Sequence, residues 1–318
     1  MPRLSKLWSK GAIDSRWING YGPRVRFWLR VFAVAFSTAA LLGAAQLGLA
    51  YGLSAFRFDR SFSGAENDWN IQLTWIVWFA MCAVVGGAAF AMSHGKLLAR
   101  RVGVTGRHTD GAGVTLRLIA SAGAGIGAVL AMIPLTVYPA ITAKIPPLDA
   151  GITMALNVGT ALIIATALAC VTAGNRPLST SMMVFTIVAW ILAVVSALNT
   201  LPLMGRLYND PVRLGVLDIG ALQPAPRAWF TMPVLAFVLG AIIALVSRAR
   251  RHSRVLTAAA GATGPLLIAL AYLMGGPGLS RVLTNQAEAY LGAMIAVVVG
   301  LVPSMLVAML PPRKKEIL

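Results

Sequence analysis

The residues that could do acid–base or redox chemistry avoid the long apolar runs of this sequence. No Asp, Glu, Lys, Arg or His falls in the middle of any such run, although the chain has 10 acidic residues, 27 basic residues and 3 histidines. Proton relays, many ion-coupled carriers, b-type haem and a retinal Schiff base need an ionisable or ligating group at that depth. The sequence therefore argues against these functions, and we predict no cofactor.

The histidines and cysteines do not form the pattern of a metal site. His94, His108 and His252 lie in or beside basic loops, far apart and without acidic or cysteine companions, and Cys82 and Cys170 each lie inside an apolar run. Metal sites in proteins use ligands clustered at short, characteristic spacings. We therefore predict neither a metal site nor a disulfide.

A few uncharged polar residues lie at membrane depth instead, namely Gln46, Ser121, Asn157, Thr160 and Ser196. Asn157 and Thr160 are about one helical turn apart, so on a helix they share a face. One interpretation places the first four of these side chains on a polar cavity between helices. The other is that each hydrogen-bonds a neighbouring helix and serves packing alone.

A second candidate site is the loop near residues 56–70, which contains Asp59, Glu66 and Asp68. Membrane glycosyltransferases that use polyprenyl-phosphate donors place a catalytic acid in their first outer loop, where it acts as a base or holds a metal. This loop is short and lacks an acid pair, so a solvated hairpin with local ion pairs is the competing interpretation. The sequence also has no nucleotide-binding, zinc-protease or serine-hydrolase motif, and we do not predict catalytic residues.

The elements that carry these residues are set by lipid. The chain of 318 residues is 58% hydrophobic and only 12% charged, whereas a soluble domain has about 25% charged residues. A hydrocarbon layer about 30 Å thick needs about 20 apolar residues, and runs of that length satisfy their backbone groups only as helices. We therefore predict an all-α, polytopic integral membrane protein with eight transmembrane helices. The predicted spans are residues 31–54, 71–93, 118–141, 150–173, 180–201, 229–247, 255–276 and 289–310.

Basic residues lie mostly on one side of this predicted membrane arrangement. The two termini and the loops after the second, fourth and sixth spans hold 20 of the 27 basic residues and account for the whole net charge of +17. We call this the basic side and the opposite side the neutral side. The positive-inside rule predicts that the basic side is cytoplasmic. High Ala, Gly and Arg usage favours a bacterial inner membrane as the location.

The same charges bear on partners. Lys and Arg at a cytoplasmic surface attract anionic lipid headgroups, and their confinement to one side removes the argument for nucleic acid as a partner. Trp69, Trp75, Trp78 and Trp229 lie near the neutral ends of their spans. Because indoles favour the headgroup level, we expect them at the lipid interface.

The two halves of the chain share features in the same order. Residues 78–81 read WFAM and residues 229–232 read WFTM, while Arg117 precedes the third span as Arg254 precedes the seventh. This order predicts a parallel 4+4 internal repeat, with residues 1–173 and 174–318 as four-helix halves. Because the Gly-rich third and seventh helices allow close approach, we expect them near the axis between the halves. Unrelated spans are the alternative, since a chain rich in Ala and Gly gives chance matches.

The repeat favours a permease-like protein or the membrane subunit of a transporter, because parallel repeats are common in such proteins. The loops are too short for an ATPase domain, so ATP-driven transport would need a separate ATPase subunit, and a homo-oligomer is a further arrangement. A non-catalytic scaffold or accessory subunit is the alternative. A membrane enzyme acting at the outer leaflet is the third hypothesis.

Overall fold

The computed structural model describes residues 23–52, 58, 66–101, 109–143, 149–200, 212–217, 228–276 and 285–311. This part of the chain is all-helical and contains no β-strand. Its helices are α1 (Pro23–Gly52), α2 (Glu66–Arg101), α3 (Thr109–Ala140), α4 (Ala150–Thr172), α5 (Arg176–Thr200), α6 (Ala228–Ala249), α7 (Arg254–Gly275) and α8 (Asn285–Met309).

All eight helices are long and apolar enough to cross a membrane, which confirms the predicted fold class of a polytopic membrane protein. Several helices continue past the predicted spans, and α2 runs from Glu66 to Arg101. The reason is that hydropathy measures the part of a helix that needs lipid, whereas the backbone hydrogen bonds continue as long as the helix is packed or solvated.

Helix α2 is the centre of the bundle. In its most apolar window 78% of the residues are buried, against 33% for the corresponding windows of α1 and α4. Helices α1, α3, α4 and α7 all pack against it. A transmembrane helix surrounded in this way contacts protein rather than lipid, so its side chains are the ones most able to hold a site.

The helices form two groups of four with the same pattern of neighbours. In the first group, α2 and α3 pack on each other, and α1 and α4 each pack on both of them. The same five pairings occur in α5–α8, and among the described residues neither group packs its first helix on its fourth. The groups meet mainly where α2 packs on α7, and we call this contact region, with the lesser contacts of α2 and α4 to α5, the seam.

Glycines bring helices together within each group and, at Gly275 and Gly276 of the α7 end, across the seam to α2. A Cβ at Gly123 would lie 2.8 Å from the carbonyl oxygen of Phe32 on α1, and one at Gly127 would collide with the carbonyl of Phe36. The close approach that the Gly-rich face of α3 permits is therefore used by α1. We expected both α3 and α7 to lie near the axis between the halves; α7 packs on α2 at the seam, whereas α3 does not pack there to any comparable extent.

Contacts between helix ends show that successive helices alternate in direction. The end of α7 contacts the start of α2, because a Cβ at Gly276 would lie 3.0 Å from the side chain of Asn70. At the opposite end of the bundle, the Arg248 guanidinium at the end of α6 donates to the carbonyls of Val307, Leu310 and Pro311 at the end of α8. The odd-numbered helices thus finish at the end of the bundle that carries the neutral loops, which we call the neutral end.

Candidate functional site

The two groups of helices touch near the middle of their spans through Cys82 and Thr186. Cys82 lies close to the midpoint of the α2 span and Thr186 close to that of the α5 span. The Cys82 Sγ is 3.4 Å from the Thr186 Oγ1. Because the Thr186 hydroxyl donates to the carbonyl of Met182 at 2.8 Å, the thiol is the donor in this contact. The seam therefore contains a polar contact at mid-membrane depth.

Four aromatic side chains extend the seam toward the neutral end. The rings of Phe79 on α2 and Trp190 on α5 are stacked, with centroids 5.1 Å apart and an interplanar angle of 2°. Trp75 and Trp78 each have a ring centroid 6.2 Å from that of Trp190. Such a cluster provides flat, polarisable faces with few rotatable bonds.

These indoles correct the interpretation of Trp75 and Trp78 as markers of the lipid interface. Trp78 is 0% exposed and Trp75 is 6% exposed, and Trp69 is also buried. Trp229 on α6 is 41% exposed, as an interfacial indole should be. The sequence signal of a Trp near the end of a span is the same for both environments, so it could not distinguish them.

The Gln46 amide connects three helices at this cluster. Its nitrogen donates to the carbonyls of Leu42 on α1 and Phe79 on α2, at 3.1 and 3.3 Å. Its oxygen accepts a hydrogen bond of 3.4 Å from the indole nitrogen of Trp190 on α5. Gln46 was predicted from sequence as a polar residue at depth, and the structure places it at the seam.

The indole nitrogen of Trp78 is a buried donor without a hydrogen-bond partner in the part of the chain that the structure describes. Leaving such a group unpaired costs about 1–3 kcal/mol. It lies in the aromatic cluster that also contains the Gln46 to Trp190 hydrogen bond. An unpaired donor in this position could hydrogen-bond a polar group that enters the seam.

The other three predicted cavity residues lie elsewhere. Thr160 is exposed on α4 and donates to the carbonyl of Leu156 at 2.7 Å, while the half-buried Asn157 donates to the carbonyl of Thr153 at 2.9 Å. Ser121 on α3 is fully buried, and its hydroxyl has no partner among the described residues. No hydrogen bond described in the structure joins any of the three to Gln46.

Of the candidate acids in the first loop, the structure describes one side chain. Asp59 lies outside the described residues, and of Glu66 only the backbone, at the start of α2, is described. Asp68 is half-buried in the first turn of α2. Among the described residues, no group of three or more His, Cys, Asp or Glu side chains could hold a metal ion.

Sequence reasoning missed a buried segment, residues 212–217, within the loop that follows α5. Leu214 and Val216 are 1% and 3% exposed, and neither was a candidate from the sequence. Gly215 has φ +72°, a conformation that favours glycine, and a Cβ there would lie 2.6 Å from the Sδ of Met232 on α6. The segment is therefore packed among the neutral ends of the helices.

Three helices hold alternate carbonyls of the buried segment 212–217. The Trp75 indole of α2 donates to the carbonyl of Val212 at 2.8 Å. The Tyr272 hydroxyl of α7 donates to that of Leu214 at 2.6 Å, and the Ser196 hydroxyl of α5 donates to that of Val216 at 3.1 Å. The segment thus fastens both groups of helices together at the neutral end of the seam.

Comparison with known proteins gives no relative from which a function could be transferred. No family model, no curated protein and no solved structure matches the chain. The structure establishes that the chain has the architecture of a multi-pass membrane protein.

Proposed function

We propose that this chain is a permease-like protein or the membrane subunit of a transporter, with its substrate path along the seam. The observation that carries the proposal is the arrangement of Gln46, Trp190 and Trp78 at membrane depth, where the two four-helix groups meet. In transporters built of repeats, substrates bind near the midplane of the bilayer at the repeat interface. The shared pattern of helix neighbours supports the division into halves 1–173 and 174–318.

The chemistry of the seam favours an uncharged substrate. The side chains described there offer aromatic faces, an amide, a thiol and a hydroxyl, and none of those named above is ionisable at neutral pH as a carboxylate or an amine. A solute with an apolar or planar body and a hydrogen-bond acceptor would complement the stacked rings and the unpaired Trp78 donor. Energy for uphill transport would then come from a separate ATPase subunit.

The proposal includes the surroundings that the charge distribution predicts. The protein would lie in the inner membrane of a bacterium, with both termini cytoplasmic and the basic side against anionic headgroups. Association with a partner subunit or with a second copy of the chain is compatible with the large lipid-facing surfaces of α1 and α4.

A scaffold or accessory subunit is the second candidate. The dense packing around α2 and the hydrogen bonds of the buried segment 212–217 favour it, since both hold the two halves in one arrangement. An enzyme that acts at the outer leaflet through Asp59, Glu66 or Asp68 has less support, because the first outer loop is short and its sequence lacks a recognisable acid pair.

The accessibility of Cys82 to a water-soluble thiol reagent distinguishes a seam that opens as a substrate path from a seam that stays closed. In a Cys170→Ala variant, Cys82 is the only cysteine, and sealed vesicles can be treated from either side with a small membrane-impermeant thiol reagent. If the seam opens, water and reagent should reach Cys82 from at least one side. A matched control is Thr160→Cys in a chain without native cysteines, because position 160 is exposed on the surface of α4 at similar depth.

A cross-link tests whether opening is needed for transport. Thr186→Cys in the same Cys170→Ala background should form a disulfide with Cys82 across the seam when an oxidant such as copper phenanthroline is added, since the present side-chain atoms are 3.4 Å apart. The cross-link should abolish uptake of uncharged solutes into proteoliposomes, and reduction should restore it. A Cys82 as unreactive as Thr160→Cys, together with no uptake of any solute in the panel, would contradict the transport proposal and favour the scaffold.

A further inference from the structure

A cluster of buried oxygens lies at the neutral end of the bundle, between the start of α2, the end of α7 and the start of α8. Its centre is the side-chain amide of Gln286, a residue that is 0% exposed. The Gln286 Nε2 donates to the Thr74 Oγ1 at 2.8 Å and lies 3.4 Å from the carbonyl oxygens of Asn70 and Gly276. None of these residues stands out in the sequence, because polar residues are ordinary near the ends of spans.

Acceptors outnumber donors in this cluster. The Gln286 amide has two N–H groups but faces three oxygens, and the Thr74 hydroxyl already donates to the carbonyl of Asn70 at 2.7 Å. The Gln286 Oε1 is buried as well and has no hydrogen-bond partner among the described residues. A buried oxygen without a donor is costly, and a cation that accepts oxygen ligands removes that cost.

Of the three helix ends at the cluster, the end of α7 favours positive charge, whereas the starts of α2 and α8 favour negative charge. Helix α7 ends here, and its last carbonyls carry a partial negative charge of about half an electron. Gly276 follows with φ +96°, so the chain turns sharply and presents its carbonyl to Gln286. Glu288 lies in the first turn of α8 and adds a formal negative charge at the same end.

We propose that Thr74, Gln286 and the carbonyls of Asn70 and Gly276 form a binding site for a monovalent alkali cation. All four ligand atoms would be oxygens, which alkali and alkaline-earth ions prefer over transition metals. None of the four carries a formal charge, whereas Ca²⁺ and Mg²⁺ sites use carboxylates. To bind the ion, the Gln286 amide turns so that Oε1, now without a partner, joins the other three oxygens around it.

The site would link the two halves. Asn70 and Thr74 belong to α2 of the first half, and Gly276 and Gln286 belong to the second. Cation binding should therefore strengthen the contact between α2 and α7 at the neutral end. Cation binding is measured without transport. A failure to bind would therefore overturn the cation site and leave the transport proposal unaffected.

The first measurement is the effect of the cation alone on purified full-length protein in detergent. Thermal unfolding is followed in NaCl, KCl, LiCl and choline chloride at one ionic strength, with equilibrium binding of radioactive ²²Na⁺ as the direct readout. At least one alkali cation should raise the midpoint of unfolding above its value in choline. No difference among the four salts, with no saturable ²²Na⁺ binding, would overturn the proposal.

Two substitutions of opposite effect exclude a merely structural role. Thr74→Val removes one ligand and should weaken binding at least about tenfold, which corresponds to about 1.4 kcal/mol. Gln286→Glu supplies a charged oxygen in the same place and should tighten binding. Ser304→Ala, a buried hydroxyl on α8 that donates to the carbonyl of Ala258 at 2.6 Å, is the matched control and should leave the affinity unchanged.

These variants are informative even where one is unstable. If Thr74→Val does not fold, the tighter binding of Gln286→Glu remains as the test, because loss of packing cannot raise the affinity for a cation. Equal cation affinity in Gln286→Glu and the unaltered chain would place the site elsewhere and reject the ligands named here.

Discussion

The hydroxyl of Tyr272 donates a 2.6 Å hydrogen bond to the carbonyl oxygen of Leu214, which lies 58 residues earlier in the chain. Both residues are buried, Tyr272 at 0% and Leu214 at 1% exposure. With the equivalent bonds from Trp75 and Ser196, this contact holds the buried segment 212–217 across the neutral ends of three helices. The segment therefore closes the neutral end of the seam in this structure.

Removal of the Tyr272 hydroxyl should loosen that closure. In Tyr272→Phe the Leu214 carbonyl is left buried and unpaired, at a cost of about 1–3 kcal/mol, so thermal stability in detergent should fall. Trypsin should cleave faster after Arg213, as mapped by mass spectrometry. Tyr138→Phe, at a position that is 78% exposed, is the control. Equal cleavage after Arg213 in both variants would show that this hydrogen bond does not hold the segment.

Close approach of α1 and α3 should depend on the absence of a side chain at Gly127. A Cβ there would occupy the space of the Phe36 carbonyl, which is backbone and cannot turn aside. We expect Gly127→Ala to destabilise the protein by about 1 to 3 kcal/mol, as overpacking does.

The matched control for this helix contact is Gly159→Ala, since nothing lies within 4 Å of a Cβ at that position. It should be neutral or should stabilise α4 by up to about 1 kcal/mol. The fraction of protein that remains monodisperse after heating compares the two variants. Similar losses in both would mean that the α1 and α3 backbones are not in close contact.

The eight helices could be predicted from sequence because their length follows from the thickness of lipid. Which face of each helix is buried could not, because lipid and a protein interior are both apolar and leave no amphipathic pattern. Trp75 and Trp78 show this: their positions fit an aromatic belt as well as they fit the core. Gln286 and Thr74 were overlooked because they lie near span ends, where polar residues are ordinary.

The seam was only partly predictable for a related reason. Gln46 stood out as an amide inside an apolar run, and its position at the seam follows from the cost of burying an amide without partners. Leu214 and Val216 gave no such signal, because their burial depends on side chains of Tyr272 and Ser196 that are far away in sequence. Contacts of that kind are set by the tertiary arrangement alone.

Orientation in the membrane is predicted from the basic residues and can be tested with reporter fusions. A reporter that is active only in the cytoplasm should work when fused after Lys315 or in the loop at residues 248–254. It should be silent in the loop at residues 202–228. The reason is that 20 of the 27 basic residues lie on the first side. One reversed result would contradict the cytoplasmic location of the termini.

Division of the chain between α4 and α5 should leave two units that still assemble. Residues 1–173 keep every pairing among α1–α4, residues 174–318 keep every pairing among α5–α8, and the seam between them is smaller than the packing within either group. Co-expressed as separate tagged polypeptides, the two fragments should reach the membrane and copurify. Each should also accumulate when it is expressed alone, because its own helices satisfy one another.

A second division, between Arg251 and His252, provides the comparison for that experiment. This division separates α6 from α7 and α8, although α6 packs extensively on α8 and also packs on α7. The C-terminal fragment would lose these contacts, so it should be degraded when it is expressed alone. The first division tests the halves as units without reference to any substrate. If the fragment 174–318 were as unstable alone as the shorter fragment from residue 252, the two groups of helices would not be independent halves, and the repeat would lose its support.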